Sequence, residues 1–273
     1  MGKIGFMQGR LSPLIDGKIQ CFPWPYWENE FMEAEKCQFS LMEWTLDHDR
    51  LYENPLMNQS GRAKVKALMN SHKIEIKSLT GDCFMHAPFY KREGREREAL
   101  ITDLKNIIEA CGEIGIQTVL IPLVDDGRLE NDEQENNLKK ELAEIKPLLS
   151  KSRVKISFES DYQPSRLAKF MADFEPKYFG ITYDIGNSAS LGYDHGEEIE
   201  AYGCHIINVH IKDRIRGGTT VPLGKGDADI PGALAALRES GYRGNFILQT
   251  ARAENGAHAE LLSGYRDLVE KWL

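Results

Sequence analysis

Strand-like and helix-like segments alternate strictly from one end of this chain to the other, and that alternation leaves few folds open. Short apolar runs read as buried strands, and stretches with apolar residues three and four apart read as amphipathic helices. The spacing predicts strands over Lys3–Gln8, Ser40–Trp44, Glu75–Leu79, Thr118–Pro122, Lys155–Phe158, Gly180–Tyr183, Ile206–Ile211 and Gly244–Gln249. It predicts helices over Trp27–Cys37, Ser60–Ser71, Arg95–Cys111, Asp132–Ser150, Pro164–Phe174, Glu197–Tyr202, Ile230–Ser240 and His258–Trp272. Ser60 is placed to cap the second helix, with Ala63, Ala67 and Leu68 on one face. Gly112 and Gly115 punctuate the end of the third. Asp229 is placed to cap the helix at Ile230.

Strict alternation implies a parallel sheet covered by helices. Eight pairs in 273 residues, close to the typical ~250, favour a closed barrel. The expectation is an α/β protein, a single (βα)8 TIM barrel domain over residues 1–273. An open sheet with a dinucleotide site would want GxGxxG after the first strand. Met7-Gln8-Gly9-Arg10-Leu11-Ser12-Pro13 lacks that fingerprint.

A net charge of −8 argues against a nucleic-acid or anionic-membrane partner, since either would leave a basic patch. No apolar run approaches the roughly 18 residues that span a bilayer. Met1-Gly2-Lys3-Ile4-Gly5 has no apolar core of a signal peptide. The five cysteines, odd in number and without CxxC spacing, read as free thiols of a cytoplasmic protein.

In such a barrel the C-terminal ends of the strands share one mouth, where function sits. Four apolar runs end in a side chain able to bind a metal: Glu159, Asp184, His210 and Gln249. Glu, Asp and His with an amide oxygen suit a divalent cation open to substrate. Glu159 and Asp184 close together would repel strongly unless a cation lay between them. Gln8, Arg10, Glu43 and His86 stand at other strand ends. Along Val209–Arg216, alternation puts His210 and Lys212 on one side. Lys212 or Arg216 would reach a substrate oxygen anion; the other reading of the segment, a solvated basic loop, weighs nearly as much for Arg214 and less for Arg216. Gly224-Lys225-Gly226-Asp227 reads as a rim loop or a plain turn, and Asp125–Arg128 as a solvated turn. Trp24, in Phe22-Pro23-Trp24-Pro25-Tyr26-Trp27, would either stack on a sugar or anchor a packed loop.

Met7-Gln8-Gly9-Arg10, Leu41-Met42-Glu43-Trp44, His86-Ala87-Pro88, Glu159, Asp184-Ile185-Gly186-Asn187, His210-Ile211-Lys212-Asp213 and Gly224-Lys225-Gly226 together resemble the xylose-isomerase-like barrel superfamily. More narrowly, the chain looks like its sugar phosphate isomerase/epimerase branch. The resemblance implies one divalent metal ion (Mn, Mg, Co or Zn) held by Glu159, Asp184, His210 and Gln249. The family has a second glutamate where this chain has Gln249, which keeps an oxygen but cannot exchange a proton. The same superfamily contains the DNA-repair endonuclease IV, but Asn187 stands where that enzyme has a metal-binding His.

The activity expected is isomerisation or epimerisation of a sugar or sugar derivative. Glu159 would abstract a proton alpha to a carbonyl, giving a metal-stabilised enediolate. The proton would return from Glu159 itself, giving aldose–ketose isomerisation, or from another group such as His86 or Lys212, and Arg216, Asn187, Glu43 and Trp24 would contact the substrate. Two alternatives stand beside this reading. One is a dehydratase acting on a keto-inositol or sugar acid, and the other is a non-catalytic carbohydrate- or metal-binding barrel. The expected partner is a small-molecule sugar, and self-association into a homo-oligomer is left open.

Overall fold

Period-2 patterning in the apolar runs decides what the strands present to each side. In the computed structural model, which describes residues 2–273, eight parallel strands close into a barrel. They begin with β1 (Ile4–Met7), β2 (Leu41–Thr45), β3 (Glu75–Thr80) and β4 (Thr118–Leu123). β5 (Lys155–Ser160), β6 (Phe179–Asp184) and β7 (Ile206–Ile211) continue the order. β8 (Asp213–Arg214) and β9 (Thr220–Val221) form a small antiparallel hairpin outside the barrel, and β10 (Phe246–Leu248) pairs with both β7 and β1 to close it.

Eleven α-helices occur among the described residues. They are α1 (Asn29–Lys36), α2 (Gln59–His72), α3 (Asp82–His86), α4 (Gly94–Ile114), α5 (Asp132–Glu144), α6 (Lys146–Ser152), α7 (Pro164–Met171), α8 (Ile185–Leu191), α9 (His195–Tyr202), α10 (Ile230–Glu239) and α11 (His258–Trp272).

Alternate strand residues, including Phe6, Trp44, Ile121, Phe158, Val209 and Leu248, are buried in the main core with the helices. The opposite face lines the lumen. On it, Met7, Leu41 and Ile247 make a separate apolar cluster. Beside them the lumen is polar: Glu43, Ser78, Thr80, Ser157, Thr182, Asn208 and His210 are all buried. Such barrels usually fill this space with branched apolar side chains. A polar layer survives here because its members bond one another, as Thr182 Oγ1 does to Ser157 Oγ at 2.7 Å.

Several sequence expectations need correction. The stretch Asp132–Ser150 is two helices, α5 and α6, meeting at Ile145. Pro147 lacks the N–H that a continuous helix would bond back to residue 143, and its ring would crowd that carbonyl. The cap of α2 is Asn58, whose side chain accepts from Gly61 N, and not Ser60. Val65 is that helix's buried residue, while Ala63 and Ala67 are exposed. Gly112 lies within α4, with Ser152 against it, and Gly115 at φ +91° ends the helix. Asp125–Arg128 is the expected turn, with Asp125, Asp126 and Arg128 exposed and only Gly127 buried. Helices α3 and α8, unforeseen in the sequence, both start where a barrel strand ends. Asp229 does cap α10, accepting from Gly232 N at 3.0 Å. All five cysteines are free, and no described helix is long and apolar enough to cross a membrane.

Candidate active site

Asp184 ends β6 and at once begins α8, accepting from Asn187 N at 2.8 Å as its cap. Its other oxygen, Oδ2, faces Lys212 Nζ at 3.2 Å. Lys212 approaches this closely because residue 186 is glycine: a Cβ there would come within 2.9 Å of the Lys212 side chain. Across the β6–β7 ladder Asp184 is in register with His210. Glu159, near the end of β5, accepts from Asn187 Nδ2. A ligand atom from each of Glu159, Asp184 and His210 lies within 4.8 Å of the others.

The two nitrogens of His210 have different surroundings. Nε2 is 2.7 Å from Glu43 Oε1. Nδ1 has no hydrogen-bond partner although it is buried, and it lies 4.0 Å from Asp184 Oδ2. Glu43 also accepts from Ser78 Oγ and Thr80 Oγ1, each at 2.5 Å, and from Asn208 Nδ2 at 2.8 Å. Burial alone would raise the Glu43 carboxyl, but His210 and the two hydroxyls outweigh it and hold it below the ordinary carboxylate range. Burial likewise opposes protonation of His210, yet Glu43 prevails and lifts the imidazole to about 9. Glu159 has no such support. Burial first, then the charge of Asp184, push its carboxyl up to about 7.

These residues fit a divalent cation. The orphaned His210 Nδ1 is a lone-pair donor aimed at two crowded carboxylates, and a cation would relieve the repulsion that raises Glu159. Ligand atoms about 2.1 Å from one ion sit at most about 4.2 Å apart, so a small side-chain adjustment closes the set. His210 with Nε2 bonded to a carboxylate and Nδ1 free is the arrangement by which proteins orient a metal-binding imidazole. The amide oxygen of Gln249 turns toward the same cluster, accepting from Lys212 Nζ at 3.2 Å.

The remaining sequence candidates divide. Asn187 lies between Glu159 and Arg214, whose Nη1 donates to Asn187 Oδ1 at 2.7 Å. Arg214, with a solvated loop as its other reading, is therefore one residue from Glu159. Arg216, expected at the substrate, is exposed and packs over Gly192, where a Cβ would meet its guanidinium at 2.6 Å. It lines a cavity of about 350 Å³ with Ser188, His195 and Glu198 instead. The hairpin of β8 and β9 reverses the chain after Arg214, so strand alternation stops applying there. Glu43, expected to touch substrate, is fully buried with all its bonds made inside the barrel. His86 is an exposed residue at the end of α3 with no bond to the cluster. Trp24 packs edge-on against Phe22 with the Arg50 guanidinium 3.8 Å above its ring, which favours the loop-anchor reading. The 224–228 loop is tied down by buried Asp213, which accepts from Gly224 N, Gly226 N and Ala228 N.

Sequence reasoning passed over Ser78, Thr80 and Asn208. Asn208 had a readable signal: a polar residue two places before His210 inside an apolar run shares its face. Gln20 and Asp82 had none.

The chain belongs to the xylose isomerase-like TIM barrel family, whose model matches residues 31–270. Among individual relatives, it is 23% identical over 232 residues to L-ribulose-5-phosphate 3-epimerase UlaE of Escherichia coli O1:K1, covering 82% of this chain and 81% of that one. Two solved structures share the fold. The IolI protein with a bound zinc atom aligns at a TM-score of 0.77 with 19% identity, over 99% of both chains. D-allulose 3-epimerase from Methylomonas sp., in complex with D-allulose, aligns at 0.77 with 13% identity, over 100% of this chain and 97% of that one.

Proposed function

We propose that this protein is a divalent-metal-dependent isomerase or epimerase of a sugar or sugar derivative, with Glu159 as the base. The observation that carries the reading is the convergence of Glu159, Asp184 and the unpartnered Nδ1 of His210 at the strand ends. The epimerase relatives support it over dehydration. A cation held by Glu159, Asp184 and His210, with Gln249 Oε1 beside them, would polarise the substrate carbonyl and offset the charge developing on it.

Glu159 takes the proton alpha to the carbonyl. The C–H electron pair becomes the carbon–carbon π bond, and the carbonyl π pair moves onto the oxygen. In the loaded site a cation would bring the Glu159 carboxyl down from its metal-free value of about 7 and keep it ionised, ready to accept a proton, at neutral pH. Asn187 fixes the rotation of the carboxylate, and Arg214 fixes Asn187. Reprotonation of the same carbon from its other face gives the epimer; reprotonation of the former carbonyl carbon, with the alpha-hydroxyl proton passing to the former carbonyl oxygen, gives the isomer. Lys212 Nζ, bonded to both Asp184 and Gln249, is the donor proposed for the epimer. Glu159 returning its own proton gives the isomer. Gln249 has no proton to exchange at neutral pH.

Incubation of the Mn²⁺-loaded protein in D₂O with a panel of ketoses and ketose phosphates tests this. The expected result is deuterium at the carbon alpha to the carbonyl, together with an isomeric product and no loss of water. Exchange with none of the panel, or elimination of water, would sink the proposal.

Cation affinity should rise with pH. Below about 9, His210 carries a proton that the cation must displace, and below about 7 Glu159 adds a second. Protons are bound in the free form and released in the loaded one, so raising pH favours loading by about tenfold per unit between pH 7 and 9 and more steeply below. Mn²⁺ titration calorimetry across that range measures the slope, and a flat profile would contradict the assignment of His210.

A further inference from the structure

Lys212, Gln249, Gln20 and Asp82 form an unbroken chain of hydrogen bonds. Lys212 Nζ donates to Gln249 Oε1 at 3.2 Å, Gln249 Nε2 to Gln20 Oε1 at 2.7 Å, and Gln20 Nε2 to Asp82 Oδ2 at 2.7 Å. Arg10 Nη2 adds a second donor on Gln20 Oε1 at 3.3 Å. Asp82 is a buried residue at the start of α3, outside the cluster that holds the cation in the proposal above.

The two ends of this chain are chemically opposite. An ammonium only donates, and Asp82, whose carboxyl burial raises to about 7, is above that pH a carboxylate that only accepts. Two amides strung between them have one direction that pairs every donor with an acceptor. Reversed, Gln249 would turn its NH₂ against Lys212, and Gln20 would turn its oxygen against Asp82 and its NH₂ against Arg10. The direction matters at residue 249 because a carboxylate there would offer an oxygen whichever way it turned. A glutamine offers oxygen from one side and NH₂ from the other, and an amide NH₂ is no ligand for a cation.

We infer that Asp82, acting through Gln20, is a positioning residue that turns the Gln249 carbonyl oxygen toward the cation site. It adapts this barrel to an amide at position 249. The inference rests on the cation site of the proposed function. Asp82 need not touch the cation or the substrate; it sets the direction of a bond chain whose far end does.

The test is a cycle of four proteins: wild type, Asp82→Asn, Gln249→Glu and the double variant. Two readouts are taken, the thermal midpoint without metal and Mn²⁺ affinity by calorimetry. A carboxylate at 249 needs Gln20 to turn its NH₂ inward and its oxygen toward residue 82. Asn at 82 can donate to that oxygen, whereas Asp repels it. Asp82→Asn is therefore expected to lower the midpoint in the Gln249 background and raise it in the Gln249→Glu background. It should weaken Mn²⁺ binding about tenfold with glutamine at 249 and leave it unchanged or tighter with glutamate. Gln20→Met cuts the chain without touching Asp82 and should weaken Mn²⁺ binding to the same extent. Asp82→Asn effects of one sign in both backgrounds, or unchanged Mn²⁺ affinity in Gln20→Met, overturn the inference. Reversal of sign in the midpoints, with a wild type that binds no Mn²⁺, supports the orienting role of Asp82 and refutes the cation site instead.

Discussion

Glu159→Gln is expected to lower turnover about 100- to 10,000-fold, the usual weight of a positioned acid–base group. The substitution keeps the shape of the side chain and an oxygen for Asn187 Nδ2. What it removes is the ability to accept the substrate's proton. It also removes one of the two like charges that crowd this corner, since Asp184 is among the causes that raise the Glu159 carboxyl. The metal-free variant should therefore be no less stable than the wild type, which separates chemical loss from unfolding. Deuterium wash-in from solvent measures the first and a thermal midpoint the second. Exchange within tenfold of wild type would remove Glu159 from the role of base.

Glu43→Leu should cost more in stability than any other single change at this site. Four buried donors converge on that carboxylate: Ser78 Oγ, Thr80 Oγ1, Asn208 Nδ2 and His210 Nε2. Each buried polar group left unpaired costs about 1 to 3 kcal/mol, against a total stability of roughly 5 to 15 kcal/mol for a typical domain. A loss of at least about 4 kcal/mol in urea denaturation is expected. Glu43→Gln is the gentler probe. It keeps the shape, but its NH₂ meets groups that already donate, and the charge that lifts His210 to about 9 is gone. Its expected signature is a lowered His210 titration by NMR and, above about pH 9 where no His210 proton competes, a cation affinity reduced about 10- to 100-fold. If both are unchanged, the orienting role of Glu43 is wrong.

The barrel was legible because its strands are short apolar runs punctuated at regular intervals, and that pattern survives without any knowledge of contacts. Glu159, Asp184 and His210 were legible for a related reason: each follows directly on such a run, so position along the strand already implied position at the mouth. Glu43 shows where that cue fails. A polar residue in a strand can face the rim or the enclosed lumen, and only its register with Ser78 and its bond from Asn208 across the lumen tell which. Which of Arg214 and Arg216 faces the mouth was not legible, because past Ile211 the chain leaves the barrel and folds back as the β8–β9 hairpin, where no strand period applies. Asp184 was read as a ligand, but its second duty as cap of α8 was not, and that helix brings Asn187 to Glu159. Gln20 and Asp82 lie far apart in the chain and meet only when the mouth loops fold over the strands.

The bond between Glu43 and His210 joins residues 167 positions apart. During synthesis the second strand emerges long before the imidazole that compensates its charge, and until then the carboxylate must remain in water. The His210 nitrogen that would take the metal is likewise aimed only once the seventh strand has docked. Under the proposed function, cation loading would therefore wait on the docking of the seventh strand, late in the chain.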